Sequence, residues 1–199
     1  MKAKKLFAAV MALVLVAAIS VTATLAYLKS TSEVVTNTFT VGKVYIELKE
    51  KPVGTDGKNV ANADYTVIEN EYHLYPGQTY DKAVAVLVGE AGKESAAVKS
   101  EDCYLFIKIV NGLANFEAAG NTTIAKQLQA NGWTETATAG VWQYGQKVSN
   151  NAVVKLFDTI TIKSDYDGST IPEPITIVAC AVQAEGLTLA QALGEAVFQ

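Results

Sequence analysis

The sequence contains no arginine and only one histidine, and charged residues make up only 18% of its 199 residues. Phosphate and nucleic-acid recognition relies on clustered cations and on the forked guanidinium group of arginine. The formal net charge is −4 at pH 7, so an anionic lipid surface would not attract the chain either. These absences argue against a nucleic-acid-binding protein and against a peripheral protein of acidic membranes.

The single histidine also limits the enzymatic chemistry. A zinc hydrolase commonly holds its metal with two histidines in an H-E-x-x-H pattern, and this chain has only His73. A Ser-His-Asp arrangement would depend on the same residue, and no G-x-S-x-G motif surrounds any serine. We interpret His73 as a half-exposed strand residue and predict no catalytic set, resident metal or cofactor.

A calcium site is the next candidate. Asp158, Asp165 and Asp167 could supply oxygen ligands. However, the D-Y-D-G sequence lacks the rest of a calcium-binding loop and its distal bidentate glutamate. A polar β-turn, with aspartate and glycine in their usual places, is therefore the favoured interpretation.

Two further patterns could indicate carbohydrate chemistry. Neighbouring acids could imitate the paired carboxylates of a glycosidase, although solvated strand edges explain them more simply. These acids are Glu69 with Glu71 and Glu101 with Asp102. Aromatic residues could form a stacking platform for sugars, but core packing is favoured because aromatic side chains bury a large apolar area. These residues are Trp133, Trp142 and Tyr144.

Cys103 and Cys180 are the only cysteines, and both lie in strand-like apolar runs. An exported domain could join them in a disulfide, provided that the strands place the two Cα atoms within about 7 Å. The alternative is a pair of small buried hydrophobic residues, which is how free cysteine usually behaves. The sequence leaves both alternatives open.

The first 26 residues have the three parts of a secretory signal peptide. A basic start that contains three lysines leads into an apolar run from Leu6 to Ile19. Thr24 and Ala26 supply small side chains at positions −3 and −1, which predicts cleavage before Tyr27. A second cleavage site after Ala23 is weaker. Removal of the leader to Ala26 changes the formal charge from −4 to −7, because the three lysines leave with it.

A retained membrane anchor is the alternative, since the 22 residues from Leu6 to Tyr27 could cross a bilayer. Ser20, Thr22 and Thr24 dilute its second half, and no basic stop-transfer cluster follows. We therefore predict export to the cell surface or extracellular matrix. Signal peptidase would be the transient partner, and the membrane would be contacted only through the uncleaved leader.

A polar, extended segment is predicted at residues 27–38, between the leader and the domain at 39–199. It is rich in threonine and serine, has Val34 and Val35 embedded, and has little to bury on its own. The first strand, Thr38 to Leu48, changes its apolar parity at Gly42. An interior glycine at such a switch predicts a bulge or bend.

The domain itself reads as a series of strands separated by turn signals such as Tyr75-Pro-Gly-Gln78. Seven or eight strands at this spacing indicate an all-β fold, an antiparallel β-sandwich. The predicted strands are Thr38–Leu48, Tyr65–Leu74, Tyr80–Val88, Cys103–Val110, Trp133–Ala137, Val141–Tyr144, Val153–Ile162 and Ile175–Gln183.

Two short helices interrupt and close this pattern. The first is inserted at Asn121–Asn131, capped by Asn121 or Thr122 and ended by Gly132. A T-x-x-Q capping box at Thr188–Gln191 opens the second, C-terminal helix. The apolar faces are expected to hold Ile124 with Leu128 in the first helix, and Leu189 with Leu193 and Val197 in the second.

Three segments carry a resemblance to a known family. Ala26-Tyr-Leu-Lys-Ser-Thr, followed by Asn37-Thr-Phe-Thr-Val-Gly42, resembles the start of proteins with a SipW-dependent type of signal peptide, the TasA and camelysin (CalY) family. Leu74-Tyr-Pro-Gly77 resembles the L-x-P-G turn of that family. Ala181-Val-Gln-Ala-Glu-Gly186 resembles its closing A-x-Q-A-x-G segment.

The resemblance implies a secreted jelly-roll domain that polymerises with copies of itself into cell-surface or biofilm-matrix fibres. The mature N-terminus of one subunit would complete the sheet of the next by donor-strand exchange. The assembly segment would include Tyr27, Leu28, Val34, Val35 and Phe39. The alternatives are a monomeric secreted binding protein of the same fold and, more remotely, a metallopeptidase such as some camelysin relatives are described to be.

Overall fold

A computed structural model of the chain describes residues 43–89 and 99–198, all of which belong to one compact unit. These residues form seven strands and two helices. The strands are β1 (Ile46–Glu50), β2 (Thr79–Val88), β3 (Cys103–Asn111), β4 (Trp133–Glu135), β5 (Val141–Tyr144), β6 (Val153–Thr161) and β7 (Ile175–Gln183). The helices are α1 (Ile124–Ala130) and α2 (Leu189–Glu195).

The strands make two antiparallel sheets, which confirms the all-β prediction. One has the order β1-β2-β6 and the other the order β4-β5-β3-β7. The inward faces of both contribute to one apolar core, as a two-sheet packing requires. Its largest fully buried side chains include Trp133, Phe106, Phe157, Leu105 and Ile107.

Strand β2 is buried on both faces along most of its length. Val84 and Val86 face the main core, while Ala85 and Leu87 lie on the other face with Tyr65 packed against them. A strand covered on both sides reads as a continuous apolar run rather than an alternating one, which is why its bounds were predictable.

The first predicted strand is displaced from the observed one. Strand β1 begins at Ile46 and ends at Glu50, two residues beyond the predicted end, and residues 43–45 are not in a strand. The predicted bulge at Gly42 lies outside the described residues.

The predicted strand at Tyr65–Leu74 is wrong. Among the described residues, this segment makes only one bridge to a strand, between Val67 and Glu50. The side chain of Asn70 then bonds to backbone groups of the chain that follows β1. Hydrogen bonds from a side chain to backbone groups take the place of the backbone ladder that a strand would form there. Residues 65–74 therefore do not form a strand, although their composition is typical of one.

Helix α1 ends as predicted but begins later. Its N-cap is Thr123, whose Oγ1 accepts a hydrogen bond from the Lys126 amide at 3.4 Å, rather than Asn121 or Thr122. The amide of the first helical residue, Ile124, is bound by the Glu117 carboxylate at 3.0 Å, which fixes the start. Gly132 ends the helix with a φ of 89°, and Ile124 and Leu128 are buried as predicted.

Helix α2 has the predicted capping box between Thr188 and Gln191. The predicted apolar face is correct only in part: Leu189 and Leu193 are half-buried, but the fully buried residue is Ala192, and Val197 lies beyond the helix with 64% of its surface exposed. Packing a short helix closely onto β3 and β7 favours the small side chain. Within residues 43–89 and 99–198, no helix is long and apolar enough to cross a membrane.

Candidate functional site

The predicted cleavage and assembly residues lie outside the described residues, so their roles stay predictions. They are Thr24, Ala26, Tyr27, Leu28, Val34, Val35 and Phe39. The described residues do show the sheet edges that an extended segment would meet.

Cys103 and Cys180 do not form the disulfide considered above, because both are free thiols. In the β3–β7 ladder Cys103 pairs with Gln183, whereas Cys180 pairs with Phe106. Cys180 therefore lies opposite a residue three positions along β3 from Cys103. Because side chains alternate between the two faces along a strand, Cys103 and Cys180 lie on opposite faces of the sheet. Burial, together with the nearby charge of Asp102, raises the pKa of Cys103 to about 11. Cys103 is therefore a small buried hydrophobic residue of the core.

The candidate metal ligands have other partners or stand alone. Asp158 pairs with the Lys155 ammonium at 2.8 Å, and Asp167 accepts the Ser169 amide at 2.9 Å in a polar turn. His73 is exposed and lies outside any strand, which corrects its placement in one. In the part of the chain that the structure describes, no three His, Cys, Asp or Glu side chains are close enough together to hold a metal ion.

The aromatic hairpin is core, as favoured from the sequence. Only 1% of Trp133 and 3% of Trp142 is exposed, and the ring of Tyr144 packs 5.3 Å from that of Trp133. A sugar-stacking platform is therefore excluded at this hairpin. The acidic pairs are solvated: Glu69, Glu71 and Glu101 are exposed, and Asp102 pairs with Lys147 at 2.9 Å.

Strand β7 is a sheet edge with an unusually apolar sequence. The Ile109 amide of β3 donates to the Gly140 carbonyl, on the side away from β7. The backbone N–H and C=O groups of successive residues point to opposite sides of a strand. The odd-numbered residues of β3 therefore bond on the side away from β7. The residues of β7 that pair with them are also odd-numbered, and they direct their own N–H and C=O groups away from β3, to the open side of the sheet. These β7 residues are Ile177, Ala179 and Ala181, whose side chains pack against the core.

Strand β1 is arranged in the same way. The amide of Lys51 donates to the Ala83 carbonyl next to the β1–β2 ladder, so odd residues of β1 face β2. Ile46 and Leu48 therefore direct their backbone groups away from β2, while their side chains pack against the core. No strand within residues 43–89 and 99–198 lies along this edge.

The open edges of β1 and β7 lie on the same side of the fold, where the two strands contact each other without pairing. We call the strip formed by Ile46, Leu48, Ile177, Ala179 and Ala181 the edge seam. All five side chains are only half-buried. The seam thus combines outward backbone hydrogen-bonding groups with partly exposed core, which is the arrangement that accepts an added strand.

The other side of the fold is closed by side chains. Five backbone groups of β6 are bound by side chains of α1 and of the residues that follow it, and natural proteins often cover a sheet edge in this way. The bonds run from Gln127 Nε2 to the Thr159 carbonyl (2.8 Å), from the Asp158 amide to Gln127 Oε1 (3.0 Å), from the Thr159 amide to Gln127 Oε1 (3.2 Å), from Asn131 Nδ2 to the Leu156 carbonyl (2.9 Å) and from Trp133 Nε1 to the Lys155 carbonyl (2.8 Å).

A group of four polar side chains, two buried and two half-buried, lies beside one end of the edge seam. Glu50 and Lys82 are each 8% exposed, and Lys82 Nζ lies 2.7 Å from Glu50 Oε1. Asn70 Nδ2 donates to the other carboxylate oxygen, Glu50 Oε2, at 2.8 Å. The ring of Tyr72 lies 5.3 Å from Lys82 Nζ. We call Glu50, Asn70, Tyr72 and Lys82 the buried polar cluster.

The cluster lines a cavity of about 460 Å³ that is also bounded by Leu113 and Ile177. Burial, reinforced by the charges of Glu50 and Asp81, raises the pKa of Tyr72 far above its ordinary value. Its hydroxyl therefore stays protonated and donates to the Asp81 carbonyl at 2.9 Å. Sequence reasoning missed this cluster. Its one signal was a lysine at position 82, at the start of an otherwise apolar run.

Searches of family models, curated proteins and solved structures find no match to this chain. The functional argument therefore depends on the geometry of the edge seam and of the buried polar cluster.

Proposed function

We propose that this protein is a secreted structural subunit of a cell-surface or biofilm-matrix fibre, assembled by N-terminal donor-strand exchange. The observation that carries this proposal is the edge seam, where two sheet edges with partly exposed core lie side by side. A strand from a second subunit would satisfy the outward backbone groups of β1, of β7 or of both. It would also cover the five half-buried side chains.

The donor in this proposal is the segment at residues 27–38. Alternate residues of a strand face the same side, so Leu28 and Val34, which are an even number of positions apart, would face the seam together. The small side chains of Ala179 and Ala181 leave room for these larger residues. Burial of two such side chains contributes about 3 to 6 kcal/mol before the cost of ordering the segment.

Export and assembly are coupled in this proposal. The leader would hold the donor segment at the membrane, and cleavage before Tyr27 would free it, so that subunits assemble only outside the cell. The resemblance to the TasA and camelysin family supports the same function. It also implies that the strands of the two antiparallel sheets are connected as in a jelly roll, which we include in the proposal.

Deletion of residues 27–35 from the mature protein tests the donor. We expect a folded monomer that forms no filaments in electron micrographs, whereas the intact mature protein forms them. Undiminished filament formation by the shortened protein would refute the proposal. A mature protein that stays monomeric, with the amides of residues 27–38 protected from exchange, would indicate instead a monomeric surface protein whose N-terminus covers its own sheet.

Substitution of Ala179 by proline tests the acceptor. The Ala179 amide faces the open edge, so Ala179→Pro removes an edge donor without breaking a β3–β7 hydrogen bond. We expect a native circular-dichroism spectrum but no filaments. Ala179→Ser is the matched control, because it keeps the amide and should still assemble. Filaments of normal length from folded Ala179→Pro would place the acceptor elsewhere.

A further inference from the structure

The buried polar cluster places an amine and a carboxamide on the two oxygens of one carboxylate. Lys82 Nζ is 2.7 Å from Glu50 Oε1, and Asn70 Nδ2 is 2.8 Å from Glu50 Oε2. A buried ion pair is seldom more stabilising than apolar residues of the same volume, because both charges lose their hydration. The cluster is therefore better explained by chemistry than by stability alone.

We propose that Lys82 and Asn70 form an intramolecular isopeptide bond, with Glu50 as the group that transfers protons. Glu50 accepts a proton from the Lys82 ammonium, and the neutral Nζ attacks Cγ of Asn70. The Cγ–Nδ2 bond breaks as the Nζ–Cγ bond forms. The two protons that Nζ loses pass through Glu50 to the departing nitrogen, which leaves as ammonium. No oxidant, reductant or further reactant is needed.

The surroundings of Asn70 favour this direction of attack. Its Oδ1 accepts the Val53 amide at 3.1 Å, which polarises the carbonyl and provides a donor where negative charge develops. Its Nδ2 also donates to the Lys51 carbonyl at 2.9 Å. One donor at the oxygen and two acceptors at the nitrogen fix the orientation of the carboxamide, so the leaving nitrogen faces Glu50.

The reacting side chains are shielded from water. Only 10% of the Lys82 side chain and 11% of the Glu50 side chain is exposed. The Tyr72 ring beside Nζ helps to exclude water from the reacting atoms.

The bond would join the segment after β1 to strand β2. It would hold residues 70–82, which form one wall of the cavity, as a closed loop beside the edge seam. This inference does not rest on the proposed fibre function, since a monomeric protein would form the same bond.

Mass spectrometry of the purified full chain tests the proposal. We expect an intact mass lower than the sequence mass by one ammonia molecule, and a protease digest in which the peptide with Lys82 is linked to the peptide with Asn70. Lys82→Arg, Asn70→Ala and Glu50→Gln should each restore the full mass. Lys155→Arg, at an exposed lysine with its own carboxylate partner, should keep the loss.

A full-length protein with its complete sequence mass would overturn the proposal. So would an ammonia loss that persists in Lys82→Arg, because cyclisation of an asparagine followed by glycine, as at Asn111 or Asn131, releases ammonia without any lysine. The linked peptide, sequenced from the unaltered protein, decides the question even where a substitution impairs folding.

Discussion

Gln127 covers the edge of β6 with its side chain, whereas the edges of β1 and β7 are left open. Substitution of Gln127 tests whether this side chain stabilises the β6 edge. Its Nε2 donates to the Thr159 carbonyl at 2.8 Å, and its Oε1 accepts the amides of Asp158 at 3.0 Å and of Thr159 at 3.2 Å. Its Nε2 also donates to the carbonyl of the exposed Thr122 at 2.7 Å. Gln127→Leu keeps a similar length and a good helix propensity but removes the three bonds to the backbone of β6 together with the bond to Thr122. Because helix propensity hardly changes, the main effect of the substitution falls on the edge of β6.

The expected cost follows from the three bonds to the backbone of β6. Each contributes about 1 kcal/mol net when made within the folded protein, so we expect a loss of about 3 kcal/mol in the free energy of unfolding. With a urea dependence of about 2 kcal/mol per molar, ordinary for a small domain, the unfolding midpoint should fall by about 1.5 M. Amide exchange should become faster at Asp158, whose N–H loses its acceptor.

Gln129→Leu is the matched control, because Gln129 is exposed on the same helix and its side chain bonds only to Lys126 among the described residues. We expect its midpoint to stay within experimental error of that of the unaltered protein. Equal midpoints for the Gln127 and Gln129 variants would refute the idea that Gln127 holds the β6 edge. Unchanged exchange at Asp158 would refute it independently.

Three further predictions concern the core and its ionisable groups. Trp133→Phe should lower the free energy of unfolding by about 1 to 3 kcal/mol, measured in urea, because the Lys155 carbonyl loses its 2.8 Å donor. At about pH 8 a thiol reagent should modify Cys180 in the folded protein and Cys103 only after unfolding, since burial raises the pKa of Cys103 to about 11; equal rates would contradict this. Burial also raises the pKa of Glu117 in the folded protein above its value in the unfolded chain. The stability that Glu117 contributes is therefore fully present below the unfolded pKa and is lost as pH rises through the higher folded pKa. The stability of the protein relative to Glu117→Gln should therefore fall as pH rises above about 4, and a difference that does not change with pH would be evidence against it.

Local patterns predicted the elements whose residues depend only on their neighbours in sequence. Strand β7, Ile175–Gln183, has the predicted bounds because an apolar run follows a Pro-Glu-Pro break. The capping box of α2 was predictable because Thr188 and Gln191 satisfy each other's backbone. The burial of both tryptophans followed from the cost of exposing large aromatic surfaces.

Contacts between distant residues decided what the sequence could not. The start of α1 depends on Glu117, which binds the Ile124 amide from outside the helix. The absence of a strand at residues 65–74 depends on Asn70, which bonds to the chain beyond β1. A disulfide could not be judged before the β3–β7 register placed Cys103 and Cys180 on opposite faces.

The sequence by itself determined that this is an all-β domain with two short helices, because hydrophobic periodicity and turn residues act over a few positions. Only the tertiary structure decided that the edges of β1 and β7 lie side by side, while side chains of α1 close the edge of β6. It alone brought Glu50, Asn70 and Lys82 together. Sheet order and side-chain encounters are set by packing between residues far apart in the chain, and no local pattern records them.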